Sequence, residues 1–172
     1  MKTKLLYVCF AFIAFTSCDD LEELTEVDFN TTISEQVTIN FSDQNTSFSE
    51  SIEIDFSGNS DLEPYLDRIE EIQITNASYQ LSNYTGTAGA TGTAAITSSG
   101  ETFGPFSHDF DQDTQNMEEF ALTGAFKLNT LGATLRDNNQ LSVTINGSQN
   151  PAQNGSVTAI FTFDLEVTAQ AL

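Results

Sequence analysis

Apolar and polar residues alternate with a period of two from residue 36 almost to the C-terminus, which predicts an all-β domain. The alternate residues in each run are polar, so each strand buries one face and wets the other. That habit belongs to antiparallel sheets rather than to parallel sheets covered on both sides. Polar segments rich in Asn, Ser and Gly separate the runs, as turns require.

The first run, QVTINFS, sets Val37, Ile39 and Phe41 against Thr38, Asn40 and Ser42. The second, SIEIDFS, sets Ile52, Ile54 and Phe56 against Glu53 and Asp55, and the polar stretch 43–47 between them suits a hairpin connection. In EIQITNASYQLSNY the apolar phase passes from Ile72 and Ile74 to Ala77, Tyr79 and Leu81, so a bulge is expected near Thr75 and Asn76. Residues 85–100, TGTAGATGTAAITSSG, are almost free of charge and dense in glycine. A loop is expected there in preference to a flat edge that accepts a partner strand. The strongest strand is C-terminal, with Val157, Ala159, Phe161, Phe163, Leu165 and Val167 in register. QLSVTING, with Leu141, Val143 and Ile145, is expected to pair with it across NGSQNPAQNG.

Two segments read as helical. Ser60-Asp61-Leu62-Glu63 has the capping-box pattern and precedes Tyr65, Leu66 and Ile69 at helical spacing. Within 117–135 the helical pattern is weakened by Gly124 and Gly132, and Phe120 with Leu122 alternates like a strand, so helix is expected only over 128–136. The count is about seven strands with one or two short connecting helices. The prediction is therefore an immunoglobulin-like antiparallel β-sandwich. With no tryptophan and no cysteine pair inside the domain, it is not a true immunoglobulin domain.

The N-terminus carries an address. Met1-Lys2-Thr3-Lys4 supplies two positive charges, and an apolar run from Leu5 to Phe15 follows, the layout of a secretory signal peptide. The run is shorter than the roughly 20 apolar residues a spanning helix needs. It ends in Phe15-Thr16-Ser17-Cys18, which resembles the lipobox of bacterial lipoproteins, with Phe15 where Leu is commoner. The resemblance implies cleavage before Cys18 and lipid attachment to it, so the expected organisation is a signal peptide over 1–17, an acidic tether over 18–34 and a sandwich over 35–172. Asp19, Asp20, Glu22 and Glu23 follow the cysteine directly. CDDLEE resembles the surface-export signal of Bacteroidota lipoproteins, implying an outer-membrane, lipid-anchored protein at the cell surface. In enterobacteria an aspartate in this place favours inner-membrane retention, so a periplasm-facing scaffold is the alternative. Cys9 would leave with the signal, and Cys18 would remain as the single thiol, which excludes a disulfide framework or a cysteine-based metal site.

Removing 17 of 172 residues leaves 155, enough for one domain with its own core. Arg68, Lys127 and Arg136 then face 25 acids, a net charge of 3 − 25 = −22. Nucleic acid is excluded as a partner, because binding it depends on Lys and Arg neutralising phosphates. Attraction to anionic lipid is likewise disfavoured except through acyl chains on Cys18.

For chemistry, HDFDQDTQNMEE at 108–119 is the most pointed stretch. Asp109, Asp111 and Asp113 alternate like the opening of a calcium loop and are candidate calcium ligands. Thr114 and Phe120, however, stand where an EF-hand needs Gly and Glu, so the competing reading is an acidic loop leading into a helix cap. His108 is the single histidine, and a structural role is expected for it. No GxSxG elbow is present, and carboxylates are too abundant for a pair to mark a glycosidase. The expected function is non-catalytic: an anchored interaction module whose partner is an envelope protein or a glycan, without a cofactor. A calcium-dependent adhesion or stability module is the alternative.

Overall fold

The computed structural model describes residues 26–56 and 58–171. Its strands are β1 Glu26–Phe41, β2 Ser47–Asp55, β3 Ile69–Ser82, β4 Thr91–Ser98, β5 Glu101–Asp109, β6 Glu119–Ala121, β7 Gln140–Asn150 and β8 Gly155–Gln170. A 3-10 helix Glu63–Arg68 precedes β3. Helix α1 Phe110–Asn116 follows β5, and helix α2 Ala125–Asn138 follows β6.

The strands form two four-stranded antiparallel sheets, in the orders β1-β8-β3-β6 and β2-β7-β4-β5. The all-β antiparallel sandwich is thus as the sequence predicts, with eight strands among the described residues. Strand order corrects the immunoglobulin-like part of the expectation, in which the first two strands would lie side by side in one sheet. β1 pairs with β8, β2 with β7, β3 with β6 and β4 with β5, as if one long hairpin had been rolled into two sheets. That connectivity is a jelly roll.

Both expected hairpins are corrected by this order. β1 and β2 lie in different sheets, and so do β7 and β8. Each connection crosses between the sheets, so the apolar faces of the strands it joins look at each other across the core. Alternation is the same for a hairpin and for such a crossing, because it specifies which side of a strand is buried and not which strand lies beside it.

β8 supplies the spine of the core: Val157, Ala159, Phe161, Phe163, Leu165 and Val167 are all buried. Leu141, Val143 and Ile145 of β7, Ile54 of β2 and Ile96 of β4 are buried in the same cluster. Burying each such side chain contributes about 1.5–3 kcal/mol. The expected bulge is present: the β3–β8 register slips between Ile74 and Asn76, opposite Leu165 and Asp164.

Three local expectations are also corrected. Residues 26–34, expected in the tether, are the first half of β1. Residues 91–98, expected in a loop, are β4, an interior strand between β7 and β5. Glycine here serves close packing: a Cβ on Gly92 would lie 2.3 Å from the Ser148 carbonyl oxygen and 2.6 Å from the Phe110 ring. The expected Ser60 cap is not used: the N-cap of the 3-10 helix is Leu62, with no side-chain hydrogen bond, and Asn59 closes the turn that leads into it. Asn59 Oδ1 accepts from the N–H of Asp61 at 2.9 Å and of Leu62 at 3.2 Å.

α2 is longer than the expected 128–136, beginning after Gly124 and ending at Asn139 in the left-handed region (φ 57°). β6 pairs only with Ser78–Gln80, which leaves the start of β3 without a strand neighbour on that side among the described residues. α2 closes over it, and a Cβ on Gly132 would lie 2.4 Å from the Ile72 carbonyl oxygen. The glycine that weakens the helical pattern is the one that lets the helix reach the sheet.

Candidate functional site

The candidate calcium ligands fall at the junction of β5 and α1, where the chain turns from strand to helix. Asp109 is the N-cap of α1, its Oδ1 accepting from the Gln112 N–H at 3.1 Å, so the helix-cap reading holds at this residue. Asp111 Oδ1 accepts from Gln115 Nε2 at 2.9 Å, one helical turn on. Asp113 points the other way, into the protein, and is 5 % exposed. Helical geometry explains the dispersal: residues two apart in a helix lie on different faces, whereas an extended ligand loop would turn them to one centre. Among the described residues no group of three or more His, Cys, Asp or Glu side chains is placed to hold a metal ion. Cys18, Asp19, Asp20, Glu22 and Glu23 lie outside the described residues.

Asp113 meets the single histidine. His108 Nδ1 lies 2.8 Å from Asp113 Oδ2, and His108 Nε2 lies 2.8 Å from the Tyr79 hydroxyl. Tyr79 and His108 are 1 % and 4 % exposed. The strand pattern carries both aromatic rings inward, and α1, capped by Asp109, brings Asp113 back over them. A carboxylate only accepts, so Nδ1 carries the proton and donates to Asp113. Nε2 is then the acceptor for the Tyr79 hydroxyl.

Burial pushes the His108 imidazole below the ordinary histidine range, against the opposing pull of the Asp113 carboxylate and, further off, of Glu118. The histidine is therefore neutral near pH 7, and its contact with Asp113 is a hydrogen bond rather than an ion pair. The Tyr79 hydroxyl is pushed upward, first by burial and then by the Asp113 charge. It stays protonated and serves as donor. Aromatic rings enclose the relay: Phe120 stacks on Tyr79 with centroids 5.2 Å apart, and its edge meets His108 at 4.5 Å. Phe106, Phe110 and Phe161 complete the wall. Chemically the relay satisfies three buried polar groups that would each be costly unpaired. Sequence periodicity could place Tyr79 inward, but nothing local links it to a histidine 29 residues away.

A second polar knot ties the loops at the end of the sandwich where β1 finishes. Gln149 Nε2 donates to the carbonyls of Ser42 (2.9 Å), Asn45 (3.1 Å) and Gln153 (3.2 Å). Gln153 in turn donates to the Tyr84 hydroxyl and accepts from the Thr87 N–H, both at 2.6 Å. Three loops are held by two buried amides.

The outer faces of the two sheets differ. That of β2-β7-β4 is lined by hydroxyls and amides paired across strands: Ser49 with Asn146 (2.8 Å), Ser51 with Thr144 (2.9 Å), and Thr93 with Ser148 (3.0 Å). That of β1-β8-β3 is acidic, and Asp28, Glu71 and Glu166 line one shallow groove there.

No protein-family model matches the chain, and no curated protein matches it either. Among solved structures it is similar to Desmodium yellow mottle tymovirus, at 11% identity over 84% of each chain with a TM-score of 0.39. It is also similar to the decameric BFDV capsid protein, at 10% identity over 83% of this chain and 99% of that one, TM-score 0.41. Tobacco necrosis virus follows at 11% identity, 85% and 98% coverage, and TM-score 0.37. At these values the likeness carries no argument about function, and the jelly-roll assignment rests on the strand order.

Proposed function

We propose that the chain is a non-catalytic, lipid-anchored protein of the bacterial cell envelope, displaying a β-sandwich as an interaction module at the cell surface. The observation that carries the reading is the FTSC-DDLEE sequence followed so closely by β1, whose first residue is Glu26. Seven residues separate Cys18 from Glu26, and the eight Cα-to-Cα steps between the two, fully extended, reach at most about 29 Å. An anchor on Cys18 therefore keeps the sandwich beside the membrane, with the end of β8 at Gln170 on the same side, since Glu26 pairs with Gln170. The loops tied by Gln149 and Gln153 are then at the far end, facing outward. A net charge of −22 on the mature chain favours a cationic or neutral partner and keeps the module off anionic lipid.

The test is acyl labelling and protease shaving of intact cells, with Cys18→Ala as control. Labelling of the wild type alone, with shaving of sealed cells, is the expected result. Labelling with protection until the outer membrane is opened would place the module in the periplasm and overturn surface display. Equal labelling of the Cys18→Ala variant would overturn the anchor.

A further inference from the structure

The four sheet edges are unequally protected. β6 is only three residues long. β5 carries Pro105, which has no N–H to offer, at a bulge where its register against β4 slips. β2 runs for nine residues. β1 is an edge strand of sixteen residues without proline or glycine, its register with β8 unbroken from Glu26 to Phe41. An edge of that length and regularity is a template for another strand.

The backbone groups that face outward can be identified. The Ser156 carbonyl accepts from the Thr85 N–H, so even-numbered residues of β8 turn their backbone groups toward the β3 side. Odd-numbered residues of β8 therefore bond to β1, and in register they meet odd-numbered residues of β1, as in Ile39 with Val157. The N–H and C=O of Ser34, Gln36, Thr38 and Asn40 point away from the sheet. Thr32 follows the same rule, and its carbonyl already accepts from Asn59 Nδ2, at 3.5 Å. The loop carrying Asn59 thus closes the edge at Thr32 and leaves 33–40 without a strand neighbour on that side among the described residues.

Charge selects the occupant. β1 contains Glu26, Asp28 and Glu35, β2 contains Glu50, Glu53 and Asp55, and neither has a basic residue. Glu35 and Asp55 line the groove beside this edge together with Thr32, Ser34 and Asn59. A second copy of the chain would bring the same carboxylates against them, and like charges directly opposed are destabilising. We infer that the open edge of β1 over residues 33–40 takes up a basic, extended segment of a partner protein by strand addition. Ser34, Gln36 and Thr38 supply the main-chain bonds, and the surrounding carboxylates select for Lys or Arg. The inference rests on the reading as an interaction module, but it concerns the sandwich and not the anchor, so the two fail separately.

The experiment uses the full chain in mild detergent and a fluorescent peptide of roughly nine residues, the length of a long strand, alternating Lys with Val. Anisotropy should show saturable binding, weakened at least about tenfold when alternate peptide nitrogens are methylated, because charge is kept and strand pairing is blocked. Gln36→Pro should weaken it similarly, since it removes an outward N–H while sparing the ladder to β8. Amide exchange on the wild type gives a readout that needs no variant: the N–H groups of Ser34, Gln36 and Thr38 should gain protection on binding. Equal affinity for the methylated peptide would reduce the effect to charge attraction and overturn strand addition. So would absence of binding, or self-association through β1 in place of peptide uptake.

Discussion

Lowering the pH should destabilise the domain through His108, and the size of the effect follows from the buried relay. In the unfolded chain the imidazole titrates near its ordinary value of about 6.5. In the folded protein burial holds it lower, against Asp113 and Glu118. Below pH 6.5 the unfolded state therefore binds a proton that the native state resists. The contribution to stability is fully present above 6.5 and is lost as pH falls toward the folded value. The limiting slope is about 1.4 kcal/mol per pH unit for one proton. Between pH 7 and pH 5.5 the loss is at most about 1 kcal/mol, the limit reached when the native imidazole stays neutral, which is at most a few degrees in melting temperature for a domain of this size. No screening discount applies, since the ring is 4 % exposed. As the single histidine of the chain, His108 can be isolated by subtraction. The assay is thermal melting at pH 7, 6.5, 6 and 5.5 for the wild type and for His108→Gln, the difference cancelling the shared carboxylate background. Proton NMR of the imidazole provides a check that needs no variant. Parallel melting curves for the two proteins, or an imidazole that titrates at 6.5 or above in the folded state, would refute the neutral, buried relay.

Three further outcomes follow from named contacts. Tyr79→Phe keeps the ring packing but strands the His108 Nε2 acceptor, and should cost about 1–3 kcal/mol in denaturant titration. Gly132→Ala would ordinarily strengthen a helix interior by about 1 kcal/mol, yet here its Cβ meets the Ile72 carbonyl oxygen. Net destabilisation of about 1–3 kcal/mol is expected, and a stabilised variant would mean that α2 does not seat on β3. Millimolar calcium should leave the melting temperature unchanged, because Asp109 and Asp111 bond within α1 and Asp113 faces His108; a clear rise would revive the calcium module.

Within the fold, what could be read from sequence was what depends on near neighbours. The alternation at 157–167 marks β8 and its buried face, and the phase shift after Ile74 marks the bulge. Phe120 and Leu122 betray β6 inside an apparently helical stretch. Asp109, in a run that resembled a calcium loop, is the cap of α1. Two departures, at β4 and α2, share one cause. Glycine at 92 and 132 reads as backbone freedom in the sequence, whereas the structure uses it as missing volume beside a carbonyl. That volume is defined by residues 56 and 60 positions away in the chain, Ser148 and Ile72.

By itself the sequence determined that the chain is an all-β sandwich, and it raised the expectations of a lipoprotein address and of a partner other than nucleic acid, because periodicity, charge and a cleavage-type motif are local or additive properties. Tertiary structure alone decided that the crossings 42–46 and 151–154 join opposite sheets, that Tyr79, His108 and Asp113 form one relay, and that β1 is an edge strand among the described residues. Those facts depend on which strand lies beside which. Strands with the same alternation satisfy their own burial equally well beside several partners, so the choice is made by packing the whole core at once.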